Sequence, residues 1–278
     1  MTELIADPVL DIVAPDISQL VTEDDNPVDN IPSAKQQRLL VEPLYSARKI
    51  EQRFFADANI GVFATTREPP IVPDMLLSLD VEVAEDWWAK EHRSYFIWEF
   101  GKPPDVVVEI VSNTEGNETG RKLRDYARMR VSYYVIYDPQ LLVQEQVLQV
   151  YELVAGEYLP RPDYLLPKVD LELTLWEGEF EAKQAQWLRW CELDGELIPT
   201  GAERGEQERN RAEQEHARAE QESNRAEQES DRAEQEHARA EQERNRAEQE
   251  RNRAEQEHAR AERLAAKLKA LGVDPESI

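Results

Sequence analysis

Cysteine is nearly absent: Cys191 is the only one among 278 residues, so no intramolecular disulfide can form, and the four histidines sit in no Cys/His cluster spaced for zinc. A disulfide-stapled secreted fold is excluded, and a reducing, cytoplasmic setting is expected. No stretch of about 20 apolar residues occurs anywhere, so no membrane span is expected. The N-terminus, MTELIADPVLDIVAPD, has neither a basic start nor an unbroken apolar run, which removes a signal segment from the expectations. Two further absences divide the chain. Val, Ile, Phe, Tyr and Trp are missing from 203–263, and Gly and Pro from 206–271. The first confines the core to the upstream part, where all six Trp and all nine Tyr lie within residues 1–202 and suffice for one domain of ordinary size. The second leaves the downstream part free to be one uninterrupted helix.

Positive charge is also scarce, with 33 Lys and Arg against 58 Asp and Glu and a formal net charge of -25. Residues 1–202 hold 37 acidic and 18 basic side chains, and 203–263 hold 19 and 13. A protein that coats nucleic acid depends on Lys and Arg neutralising phosphates, so that class is excluded. A role on DNA must rest on a local basic surface and on metal ions that offset carboxylates.

Residues 1–32, with Glu23, Asp24, Asp25 and Asp29 and prolines at 8, 15, 27 and 32, read as a flexible acidic extension. The domain is expected over 33–202. Apolar positions from Leu39 to Phe55 allow helix across 33–55 with a break at Pro43. Strands are expected at 61–66, 75–83, 95–98 and 105–111, the last (DVVVEIV) almost wholly β-branched. Helical spacing over 119–130 leads into a strand at 133–137, a strand–helix–strand unit. Segments 147–153 and 157–159, joined across Ala155-Gly156, predict a hairpin, and 169–175 one more strand. The fold class is therefore mixed α/β (α+β), a mixed sheet flanked by helices and followed by a long charged C-terminal helix over 203–271, with a short tail at 272–278.

That helix repeats the heptad RAEQExx, with Ala at 212, 219, 226, 233, 240, 247, 254 and 261. Arg and Glu four apart (Arg211 with Glu215, Arg218 with Glu222) support a helix on its own, by about 0.2–0.5 kcal/mol per pair. A firm coiled coil needs apolar residues at both a and d, and no Leu appears until Leu264, Leu268 and Leu271. Two readings stand: a solvated single helix, or a weak Ala-seamed self-association or protein-binding arm. The histidines at 216, 237 and 258 are copied with the repeat.

Glu109 stands in the middle of an apolar run. On a strand it shares a face with Asp105, Val107 and Val111. Either that face opens to solvent at a sheet edge, or Glu109 is a functional carboxylate in a cleft, where a cation or hydrogen bonds must meet it. Asp105, four residues off and about 13 Å away along the same strand, is too far to share one Mg²⁺. A neighbouring strand must supply the second ligand. Asp74, opening the strand that starts at Met75, is the candidate, with Asp80 the alternative. Lys122, early on the following helix, either brings its ammonium to the sheet to stabilise an attacked phosphate or is an ordinary solvated lysine. Arg121, Arg124 and Arg128, with Arg130 nearby and Asp125 among them, form a basic cluster able to touch phosphates, against the plainer reading of a charged helix face. No helix-turn-helix or finger motif is present.

The order Val-Pro-Asp (72–74), Arg-Ser-Tyr with Trp-Glu (93–95, 98–99), GKPPDVVVEIVS (101–112), Lys122, Tyr126 and YYVIYDP (133–139) resembles the Uma-two family of restriction-endonuclease-like proteins, over about residues 45–200. The resemblance implies a PD-(D/E)XK nuclease core, a mixed sheet flanked by helices that binds Mg²⁺ (or Mn²⁺) at its strand ends. Its metal ligands fall on Asp74 and Glu109. The lysine usually two residues after the Glu is replaced by Val111, and a migrated lysine falls on Lys122. The expectation is a Mg²⁺-dependent endonuclease acting on DNA. The rival is a catalytically inactive scaffold whose long helix mediates protein–protein interaction.

Overall fold

β-Branched side chains lose little rotamer freedom in an extended chain, and the VVVEI run at 106–110 forms the central strand of the main sheet. The computed structural model describes residues 30–113 and 118–270. Most of the expected extension, the segment 114–117 and the expected tail lie outside the described residues. The elements in chain order are α1 (Ile31–Ala47), β1 (Phe54–Asp57), β2 (Val62–Phe63), β3 (Met75–Leu79), β4 (Tyr95–Phe96), α2 (Ile97–Phe100), β5 (Val106–Ile110), α3 (Leu123–Met129), β6 (Tyr133–Tyr137), β7 (Leu148–Val154), β8 (Glu157–Pro160), β9 (Leu165–Leu166), β10 (Leu171–Phe180), β11 (Lys183–Cys191) and α4 (Gly201–Ala270). The chain divides into two compact units, one up to Glu206 and one from Gln207.

The first unit is a mixed α/β structure. Its main sheet has six strands in the order β1-β3-β5-β6-β7-β8. β5 and β6 run parallel and every other neighbouring pair is antiparallel. The parallel pair requires a crossover, which α3 supplies, so the expected strand–helix–strand unit is present. The hairpin between β7 and β8 turns at Ala155 and Gly156, both with positive φ, as a two-residue turn demands. β10 pairs with β9 and β11 in a second sheet, and β2 with β4 in a short parallel ribbon.

Apolar residues fill both faces of the main sheet, which explains why β3, β5 and β6 are buried throughout. One face packs Met75, Leu77, Val106 and Val108 against Leu40 and Leu44 of α1 and against Leu173, Leu188 and Trp190 of the second sheet. The other packs Leu76, Val107, Tyr134 and Ile136 against Tyr126 of α3 and Tyr95 of β4. Glu109 points to this second face, in line with Val107 and Val111.

Several boundaries depart from the sequence reading. α1 begins at Ile31 and runs through Pro43. Asn30 caps it, accepting from the Ser33 amide at 2.9 Å, and Pro32 occupies the first turn, where its missing N–H costs nothing. Pro43 removes an interior N–H, but Leu39, Leu40, Pro43 and Leu44 are all buried, and Trp190 Nε1 donates to the Leu40 carbonyl at 2.8 Å. Packing carries the helix through the proline. Arg48, in the left-handed region at φ 54°, ends it, so Phe54 and Phe55 belong to β1 and not to a helix. The expected strands at 61–66 and 75–83 shorten to β2 and β3, and Ile97–Phe100 is a helical turn. β11 has no counterpart in the sequence reading. Its hairpin turns at Glu181-Ala182, two non-glycine residues with positive φ.

α4 starts with a reciprocal cap. The Glu203 amide donates to Thr200 Oγ1 at 3.2 Å, and the Thr200 amide donates to Glu203 Oε2 at 2.8 Å. At 1.5 Å per residue its 70 residues extend about 105 Å. From 207 to 263 every described side chain is exposed. Arg211–Glu215, Arg225–Glu229 and Arg251–Glu255 pair at i,i+4 with separations of 3.2, 3.4 and 3.3 Å. Among the described residues no helix is long and apolar enough to cross a membrane.

Candidate active site

The centre of the site is a carboxylate buried inside the main sheet. β5 lies between β3 and β6, and Glu109 is 1% exposed, so the solvent-edge reading of this residue fails. Two donors meet it. Lys122 Nζ donates to Oε2 and the Tyr126 hydroxyl to Oε1, each at 2.7 Å. Lys122 is thus an ion-pair partner, half-buried at 26% exposure, and not a solvated lysine.

Asp74 arrives from the neighbouring strand. β3 and β5 pair with Met75 opposite Val108, and Asp74, the residue just before β3, lies close enough to Glu109 for its charge to act on that carboxyl. The Ile110 amide donates to Asp74 Oδ2 at 2.6 Å, and Gln37 Nε2, from α1, donates to Oδ1 at 3.2 Å. Asp80 sits past the opposite end of β3 and is exposed, which removes it as the alternative. Asp105, just before β5, is a structural residue, accepting from the Leu79 amide at 2.8 Å and from Lys102 Nζ, on the loop before the strand, at 2.6 Å.

Burial dominates the electrostatics of Glu109 and pushes its carboxyl up to about 8; the Asp74 charge adds to this, while Lys122 and the two hydrogen bonds work against it. Burial acts to lower the Lys122 ammonium, but the Glu109 charge and hydrogen bond outweigh it, with Asp74 and Glu118 adding, so the net shift is upward. Tyr126, fully buried beside Glu109, is raised well above the ordinary tyrosine value. The two upward shifts describe a carboxyl that resists ionising next to a lysine that keeps its proton.

Sequence reasoning left two members of the site without a role. Tyr126 and Glu118 lie four residues after and before Lys122, so the three side chains share one helical face. The spacing was a usable signal, but the expected helix began at 119. In the structure Glu118–Lys122 is a wide π-helical turn that leads into α3, a feature frequent at functional sites. The Tyr134 hydroxyl donates to the Glu118 carbonyl at 2.9 Å, and Glu118 Oε1 lies 4.0 Å from Lys122 Nζ.

Outward from Lys122 runs a groove lined by Arg121, Asp125, Arg128, Glu68 and Val72. Asp125 holds both arginines: Oδ2 accepts from Arg121 Nε at 3.2 Å and Oδ1 from Arg128 at 2.9 Å. Arg124 is exposed and does not line the groove.

Hard oxygen donors suit Mg²⁺, which keeps several waters and commonly takes only one or two carboxylates from a protein. Asp74, just before β3, and Glu109, on β5, offer such a pair. Among the described residues no group of three His, Cys, Asp or Glu side chains gathers closely enough to hold a metal by protein atoms alone. Two carboxylates alone do not make a dehydrated cage.

No curated protein matches the chain. A solved structure of a putative nuclease belonging to DUF820 from Anabaena variabilis ATCC 29413 is similar to it at 18% identity, covering 49% of this chain and 72% of that one, with a TM-score of 0.35. The Uma2 family model, described as "Putative restriction endonuclease", matches residues 25–178, more than half of the chain and the part that carries Asp74, Glu109 and Lys122. The chain belongs to the Uma2 family.

Proposed function

We propose that this chain is a metal-dependent endonuclease that hydrolyses DNA phosphodiester bonds, with Asp74 and Glu109 holding Mg²⁺ (or Mn²⁺) and Lys122 assisting the attack. The observation that carries this reading is the buried Glu109 carboxylate, met by the Lys122 ammonium at 2.7 Å and close enough to Asp74 to feel its charge. Family membership supports the nuclease class. When bound, Mg²⁺ supplies a Lewis acid for a phosphoryl oxygen and a water of lowered pKa. The chain's own groups do the rest. The Ile110 amide and Gln37 orient Asp74, and Tyr126 fixes Glu109, so an arriving ion has to displace the Lys122 ammonium from Glu109 Oε2 and not the carboxylates themselves. The Lys122 ammonium stands where it can meet negative charge building on the attacked phosphate. Arg121 and Arg128, braced by Asp125, face flanking phosphates across the groove, and the exposed Arg124 on the same helix extends that surface.

One observation favours a second reading. Both Glu109 oxygens already have donors, a closed arrangement that serves an inactive scaffold equally well, with α4 as its interaction arm. Supercoiled plasmid separates the two. Under the nuclease reading the full-length protein nicks or linearises it in Mg²⁺ and not in EDTA, and Glu109→Gln lowers the rate about 100-fold or more. No cleavage in Mg²⁺ or Mn²⁺ would leave the scaffold.

A further inference from the structure

Glu118 is 6% exposed, yet its Oε2 has no hydrogen-bond partner among the described residues. Buried carboxylate oxygens are rarely left so, because burial strips their hydration without replacing it. Nothing about the backbone leaves this group free to escape: the π-helical turn places it, and Tyr134 holds its carbonyl from the sheet. The carboxylate is also directed. Its other oxygen, Oε1, is 4.0 Å from Lys122 Nζ, and that same ammonium is 2.7 Å from Glu109 Oε2. Glu109 and Glu118 therefore share one neighbouring cation, the Lys122 ammonium.

We infer that Glu118 is a third carboxylate of the metal centre, reaching the ion through a bound water that donates to Oε2. This rests on the assignment of Asp74 and Glu109 as metal ligands and extends it. A direct bond is not required. An ion about 2.1 Å from its inner oxygens keeps waters that project a further hydrogen bond outward, and a carboxylate too remote to ligate is positioned to accept one.

Mn²⁺ alone is the probe, titrated into the full-length protein and followed by the electron paramagnetic resonance of free Mn²⁺. The wild type is expected to bind one ion. Glu118→Gln, which keeps the shape and removes the charge, is expected to bind it about 10–100-fold more weakly, the usual loss for a second-layer ligand partner, with unchanged circular dichroism. Asp74→Asn is measured alongside. Wild-type affinity in Glu118→Gln together with lost affinity in Asp74→Asn would overturn the Glu118 assignment and leave the Asp74–Glu109 pair standing. No binding by the wild type would overturn both. Should Glu118→Gln fail to fold, Glu118→Asp keeps the carboxylate one methylene further back and is expected to bind more weakly than the wild type; equal affinity there would likewise overturn the assignment.

Discussion

Ionising a carboxyl inside a sheet costs its hydration, and Glu109 recovers only part of that through Lys122 and Tyr126, which is why burial leaves its pKa at about 8. Arg189 shows the opposite resolution. It is 2% exposed, stacked 4.6 Å from the Trp176 ring, and doubly bonded to Glu203 at 2.8 and 2.7 Å. Burial works to raise Glu203, but the Arg189 and Thr200 hydrogen bonds outweigh it and lower the pKa. Glu181 goes the same way, down to about 2, through Arg38 and Lys35. Both folded values are depressed, so the stability these groups contribute is present above their unfolded value of about 4.5 and is lost as pH falls from there towards about 2. Thermal unfolding midpoints should accordingly drop below pH 4.5. Glu203→Gln should cost about 1–2 kcal/mol at neutral pH, a figure held down because Glu203 is 37% exposed, and should flatten the acid limb. Parallel pH curves for the variant and the wild type would contradict the pairing. At this scale the sequence was readable where a residue broke its context, as Glu109 does within VVVEI. It assigned no role to Glu118, which a π-helical turn places, or to Tyr126, and it did not show that Asp125 binds both Arg121 and Arg128.

α4 poses the question of what a helix does without an apolar side. Its described side chains from 207 to 263 are exposed, and Ala is the one apolar residue that recurs in each heptad, too small to offset the entropy of association. Its ion pairs run from Arg to Glu four residues on, the weaker orientation, and are open to solvent and salt. A peptide covering 203–271 should give helical circular dichroism that is independent of peptide concentration and declines as ionic strength rises. A sharp, concentration-dependent melt would instead establish an oligomer and favour the interaction arm. Elements whose own residues decide them were legible: β5 from its β-branched run, β6 from YYVIY, the β7–β8 hairpin from Ala155-Gly156, α4 from its repeat. Elements decided by distant partners were not. α1 passes through Pro43 because Trp190 and the core hold it, and β11 follows a turn at Glu181-Ala182 that Lys35 and Arg38 grip from α1.

A net charge of -25 sets the whole chain against a polyanion, so any approach to DNA must be local. The groove beside Lys122 offers Arg121 and Arg128, yet Asp125 and Glu68 share it, and a divalent ion at Asp74 and Glu109 would remove the remaining repulsion where the phosphate must sit. The account therefore turns on whether those two carboxylates bind metal. The most direct test is the anomalous difference density of crystals of the full-length protein soaked in Mn²⁺. The prediction is a single peak within about 2.2 Å of oxygens from both Asp74 and Glu109, with Lys122 displaced from its bond to Glu109 Oε2. Density that shows the Glu109–Lys122 pair intact and no Mn²⁺ between the two carboxylates would contradict it.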